Sequence, residues 1–110
     1  MDLSTMIVIG AGVVEKYLAD ARANDETALV RSHFRAWLVV VGQSQWRSPA
    51  QIKQSYPKAG ILDRDLISFQ INQGNYVLIV RVHYAANIFS IRFFGKAAEY
   101  DRFRREATDG

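Results

Sequence analysis

The chain has 110 residues, 49% hydrophobic and 23% charged, which suits one soluble globular domain that can bury a core without covalent staples. It has no cysteine, so a disulfide framework and thiolate metal sites are excluded, and its formal net charge is +3. The basic residues are mostly Arg, which binds phosphate through a planar fork and stacks on bases, so a polyanionic partner competes with plain surface solvation as the reason for the excess. No apolar run approaches the roughly 18 residues needed to span a membrane. Residues 1–5 lack the basic region of a secretory signal and read as a loose extension before the patterned region, which begins at Met6. The absence of cysteine fits a reducing, cytoplasmic compartment.

In chain order, Met6-Ile7-Val8-Ile9 is short and β-branched and predicts a strand. Gly10-Ala11-Gly12 then opens a helical pattern. It resembles the start of a dinucleotide-binding turn, but Glu15 stands where the third glycine belongs and no second strand follows. Val13, Val14, Tyr17, Leu18 and Ala21 recur at helical spacing, predicting a helix over 11–22. Asn24 or Asp25 can cap the next helix, about 26–43, whose stripe is Val30, Phe34, Trp37, Leu38 and Val41. Ser48 and Pro49 start a short helix over 50–55, and Pro57 stops it. Leu66 to Ile71 alternates as a strand with Ile67, Phe69 and Ile71 on one side. Asn72-Gln73-Gly74-Asn75 is a turn into a second strand, 76–84, and a third follows over 88–94. The order argues an α+β fold with helices packed on one face of a mainly antiparallel sheet.

The last two strands carry the chemistry. If Ala85-Ala86 are the turn, then Val82 faces Phe89, Val80 faces Ile91 and Leu78 faces Phe93, which makes one apolar side. The other side pairs His83 with Ile88, Arg81 with Ser90 and Ile79 with Arg92. Arg81, His83, Ser90 and Arg92 therefore share a face that suits RNA phosphates or, equally, the wet side of any antiparallel sheet. His33 and His83 are far apart in sequence, so a zinc site is not supported. There is no Gly-x-Ser-x-Gly elbow and no phosphate-binding Gly-rich loop, and the carboxylates are scattered.

From the second helix onward an ordered set of pieces resembles a known family. They are Arg35-Ala36-Trp37, the run Trp46 to Lys53, Tyr56-Pro57, Phe69-Gln70-Ile71, Tyr76 to Val80, Ile91-Arg92-Phe93-Phe94-Gly95 and Ala98-Glu99-Tyr100-Asp101. The set is similar to the HigB toxins of type II toxin–antitoxin modules, in the RelE/ParE superfamily. That resemblance implies a RelE-like fold over the whole chain and a cytoplasmic endoribonuclease (an mRNA interferase) that uses no metal or cofactor. It implies action on mRNA, usually in the translating ribosome, and restraint by an antitoxin, expected to be a helix-turn-helix DNA-binding protein. The 2′-hydroxyl of RNA attacks the neighbouring phosphate, which calls for a base, cations on the phosphate and an acid for the leaving oxygen. The implied catalytic positions are Lys96, Ala97, Tyr100, Asp101 and Arg92, with Arg81, His83, Ser90, Lys53 and Arg47 as RNA-binding positions.

Two departures bear on activity. The family's closing motif reads Gly-Thr-His-Ala-Glu-Tyr-Asp, and here Lys96 and Ala97 replace its Thr and His. The Lys and Arg that usually flank the motif Tyr76 are Asn75 and Val77. Three readings of Ala97 stand: a change made so that a host survives producing a toxin, a natural loss leaving a protein that acts by binding, or transfer of the role to His83. The alternative function is a non-cleaving protein of the same fold, either a ParE-like gyrase inhibitor or an RNA- or protein-binding module.

Overall fold

A computed structural model describes residues 6–21 and 24–102. The extension expected over residues 1–5, and position 22 of the first expected helix, lie outside the described residues. Strand β1 (Ile7–Ile9) leads into helix α1 (Ala11–Asp20), then α2 (Asp25–Gly42) and α3 (Pro49–Ser55). Strands β2 (Gly60–Ile61), β3 (Leu66–Ile71), β4 (Tyr76–His83) and β5 (Ile88–Lys96) follow, with a 3₁₀ turn, Tyr84–Ala86, between the last two. Residues 97–102 are helical and are called α4 here.

The five strands form one sheet in the order β1-β5-β4-β3-β2. Every neighbour is antiparallel except β1, which runs parallel to β5. That pairing needs the chain to reverse sharply after β1. Gly10 does this at φ 92°, where a side chain would also meet the carbonyl of Ile91 at 3.2 Å. Gly10 thus serves a tight strand-to-helix turn and close packing, whereas a side chain at Gly12 would meet nothing within 4 Å.

Helices α2 and α3 are each started by a side-chain cap. The Asn24 side chain accepts the Thr27 N–H while the Thr27 hydroxyl receives the Asn24 N–H, a complete reciprocal cap for α2. Ser48 caps α3 with Pro49 at its first position. Along α1 the expected stripe narrows to buried Val14 and Leu18 with Tyr17 half-buried, whereas Val13 is exposed.

The core lies between the three helices and one face of the sheet. Trp37 is its centre, with ring centroids 5.8 Å from Phe34, 5.3 Å from Phe69 and 6.1 Å from Phe89. Trp46 and Tyr56 close the α3 side, each against a strand phenylalanine. Because α1, α2 and α3 all pack on this one face, the opposite face of β3, β4 and β5 has no described helix but α4 near it. Among the described residues no helix is long and apolar enough to cross a membrane.

The register of the last hairpin agrees with expectation up to Val80↔Ile91 and then departs. A bulge lies between Ile79 and Val80, so Ile79 pairs with Phe93 and Leu78 with Phe94, and Arg92 is the extra residue. The inserted residue exchanges the two phenylalanines. Phe94 goes to the helix side, stacked on Tyr76 at 5.6 Å and edge-on to Tyr17 at 5.2 Å, and Phe93 joins the other face.

Candidate functional site

The closing run begins inside β5 and ends on α4. Gly95 is in strand, where an added side chain would meet Glu99 Oε1 and the tip of the Phe93 ring, each at 3.0 Å. Lys96 stands just before the helix, and Glu99, three residues on, turns back to accept its N–H at 2.7 Å. This is half of a capping box; the other half needs a hydroxyl or short acceptor where Lys96 stands. The Thr of the family motif would complete it, so helix initiation gives the Thr and the Glu of that motif a structural role.

Glu99 Oε1 accepts a second hydrogen bond, from the Tyr17 hydroxyl at 2.7 Å, which ties α4 to α1. The arrangement moves both groups in opposite directions. Burial, then the bond to Glu99 and its charge, push the Tyr17 phenol far above its usual range. The Tyr17 bond, then the Lys96 N–H, hold the Glu99 carboxyl below the usual carboxylate range, against a smaller desolvation effect. Sequence reading assigned Tyr17 to the apolar stripe of α1, and nothing in its spacing signals this partner 82 residues away.

Tyr100 follows Glu99 on α4, with its ring 6.5 Å from that of Phe93. The two rings lie by a part of the face that is not open as expected. Val77 and Ile79 are 8% and 1% exposed although neither belongs to the main core cluster. Position 77, where the resemblance implies a cation, is therefore a buried apolar site next to Gly95 in register. Lys96, Ala97, Asp101 and Arg92 are all exposed. The Ala97 N–H donates to the Asn75 carbonyl at 3.1 Å, which fixes the backbone there and leaves its side chain toward solvent.

Of the remaining candidates, Arg81, His83 and Ser90 lie elsewhere on the hairpin, Arg47 just before α3 and Lys53 on it. Tyr76 pairs with Lys96 and His83 with Ile88, so His83 is seven residues from the motif end of β4, about 23 Å along the strand. That distance removes His83 as a replacement for the imazidole missing at Ala97. Arg81 pairs with Ser90 across the strands but is half-buried, and its Nη1 makes a 2.8 Å ion pair with Asp65. Arg81, expected on the open face as an RNA-binding position, thus has a partner from the β2–β3 loop.

His83 opens onto a cleft of about 870 Å³, which also takes in Arg47, Asp63, Arg64, Asp65 and Tyr84. Arg47 and His83 are thereby brought together, whereas Lys53, exposed on α3, does not line it. Arg64 was missed because the loop 62–65 has no periodic pattern. The Tyr84 hydroxyl donates to the Arg64 carbonyl at 3.3 Å, and burial, with Asp65 nearby, raises the Tyr84 phenol above its usual range. Among the described residues no group of three or more His, Asp or Glu is placed to hold a metal ion.

Helices on one face of a five-stranded, mostly antiparallel sheet, with a parallel first strand and a helix starting at the end of the last, make this a RelE-like α+β domain. Residues 30–103 match the model of the HigB toxin family, described as the RelE-like toxic component of a toxin–antitoxin system, and the chain belongs to that family. Membership implies an antitoxin as partner. A search of curated proteins finds no match.

Proposed function

We propose that this protein acts on mRNA as the toxin of its module, an endoribonuclease of the metal-independent type working in the cytoplasm, with the ribosome presenting the strand. The observation that carries the reading is the closing run. Lys96, Ala97, Tyr100 and Asp101 are gathered at the start of a helix that Glu99 and Tyr17 hold against the sheet, beside the Phe93–Tyr100 ring pair. In that site a base stacks on the Phe93–Tyr100 pair, and Lys96 and Arg92 neutralise the scissile phosphate and its neighbour. With no base on the Ala97 side chain, water takes the proton of the 2′-hydroxyl. The 2′-oxygen then bonds to phosphorus, a cyclic phosphate forms, and the 5′-oxygen departs with a proton supplied by Tyr100 or water. Asp101 orients the neighbouring donors. Ser90, Arg81, His83, Arg47 and Lys53 supply binding along the strand, and a helix-turn-helix antitoxin restrains the toxin.

With Ala97 the proton acceptor is absent, and cleavage by this chain is slow. Ala97 is exposed, so an imidazole has room there. Ala97→His is expected to raise the cleavage rate by about 10²–10⁴-fold, the usual contribution of a general acid–base group. Primer extension on cellular mRNA after induction measures it. New 5′ ends and growth arrest with the His variant support the nuclease. A DNA-damage response without new mRNA ends would mean the gyrase-inhibiting alternative.

A further inference from the structure

We infer that the cleft at the His83 end of the hairpin is a second RNA-binding subsite, which takes one nucleotide of the single strand several positions away from the scissile phosphate. This rests on the RNA reading above and adds a location that the closing motif does not contain. The cleft, about 870 Å³, is within the size range of small-ligand sites, roughly 300–1,000 Å³.

Its polar groups are divided between those already engaged and those left for a ligand. Asp65 is held by Arg81 at 2.8 Å. The Tyr84 hydroxyl is spent on the Arg64 carbonyl, and Asp63 Oδ1 accepts the Arg64 N–H at 2.7 Å. The Arg47 N–H donates to Gln51 Oε1 at 2.6 Å. The backbones of both arginines are therefore fixed, while neither guanidinium has an ion pair among the described residues. Two anchored backbones carrying two unengaged forks suit the two phosphates that flank one nucleotide. His83, exposed at the strand end, offers a flat ring for a base, and the second oxygen of Asp63 an acceptor for an exocyclic amino group.

The position selects a strand over a free nucleotide. The cleft and the Lys96 end are joined by β4 and β5, about 23 Å apart, with Arg81, Ser90 and Arg92 between them. Single-strand-binding grooves commonly cover about 4–16 nucleotides, so one RNA segment reaches both ends. A base must be unstacked to enter, which favours single strands over duplex.

The chain has two histidines, which allows a site-resolved test on the full-length protein. His33 lies in a separate groove on the α2 side and serves as the reference. The probe is a single-stranded oligoribonucleotide of about 12 nucleotides, within the usual range of site sizes. The imidazole proton resonances are followed by NMR and affinity by fluorescence anisotropy. The expected result is a shift at His83 with His33 unmoved. Arg47→Gln with Arg64→Gln should abolish that shift, weaken binding about 10-fold and reduce the salt slope by about 1.4, or 0.7 per phosphate contact. Both arginines are exposed, so an unchanged melting temperature is expected for the double variant. Lys96→Gln should weaken binding yet leave the His83 shift intact at saturation. If Lys96→Gln weakens binding while His83 stays unmoved and the arginine pair is neutral, the subsite is overturned and the RNA reading stands. If the parent binds no oligoribonucleotide, both fall together. A His83 shift with mononucleotides but not with the oligomer overturns the subsite in favour of a free-nucleotide site.

Discussion

Glu99 accepts hydrogen bonds from two sides, and the consequences are measurable at that residue. Its carboxylate receives the Lys96 N–H and the Tyr17 hydroxyl, each at 2.7 Å. A carboxylate whose folded pKa is depressed contributes stability that is present above its unfolded value, about 4.3, and lost as pH falls through the folded value. A phenol whose folded pKa is raised contributes stability present below its unfolded value, about 10, and lost as pH rises through the folded value. The clamp between α1 and α4 is therefore complete between about pH 4.3 and 10 and loosens outside that window. Tyr17→Phe and Glu99→Ala should each destabilise the protein by about 1 kcal/mol at pH 7, and the double variant by less than the sum, because each removes the Tyr17–Glu99 bond. Urea melts of the four proteins at pH 7 and pH 3.5 measure this; full additivity would mean that Tyr17 and Glu99 act independently. Gly95→Ala belongs to the same contact. Its methyl group would press on Glu99 and Phe93, so lower amide-exchange protection over residues 97–102 is expected, with the helix-side core unaffected.

At the scale of elements, the bulge decides which phenylalanine faces the core. Ile88-Phe89-Ser90-Ile91 alternates cleanly, and the pattern then meets Arg92-Phe93-Phe94, where either ring can be the inward one. A period of two selects Phe93. The fold selects Phe94 because Tyr17 and Tyr76 form an aromatic pocket for it, a contact between α1 and the hairpin that no local window contains. The same locality explains what else was hidden. Strand β2 has two residues, too few for any period, and the parallel pairing of β1 with β5 joins Ile7 to Ile88. Helices α1, α2 and α3, the caps of α2 and α3 and the inward side of β3 and β4 were readable because each is set by residues within one or two turns, whereas α4 was not expected. For the site, the motif residues were visible as a string, whereas Arg64 and Tyr17 depend on distant contacts and were not. Deleting Arg92 supplies a test of the bulge. It leaves Ile91 inward, Phe93 outward and Phe94 inward in an uninterrupted strand. The deletion is expected to fold with a stability change within about 1.5 kcal/mol, with RNA affinity reduced by loss of the cation. An unfolded product would show that the extra twist at the bulge, and not only parity, is required.

Over the whole molecule, the two faces of the sheet are assigned to different work, and salt dependence reads the difference. The helix side holds the aromatic core around Trp37, and the ion pairs Lys16–Asp20 and Arg31–Glu15 lie on its helices. Across the other side and its two ends, Arg47, Arg64, Arg92 and Lys96 are exposed and take part in none of the ion pairs between described residues. Four phosphate contacts on a single strand give a slope of log affinity against log salt of about −2.8. Oligoribonucleotide binding should then weaken about 50-fold between 50 and 200 mM monovalent salt. The net charge of +3 alone predicts no such figure, since a diffuse charge steers a polyanion without making fixed contacts. Neutralising any one of the four, as in Arg92→Gln, should lower the slope by about 0.7. The Arg81→Gln slope should change less, because Asp65 already occupies part of that guanidinium and the freed carboxylate repels the strand. A slope near zero with affinity retained would mean that apolar contacts around Phe93 and Tyr100 carry the association, and would favour a protein surface over RNA as the target of this face.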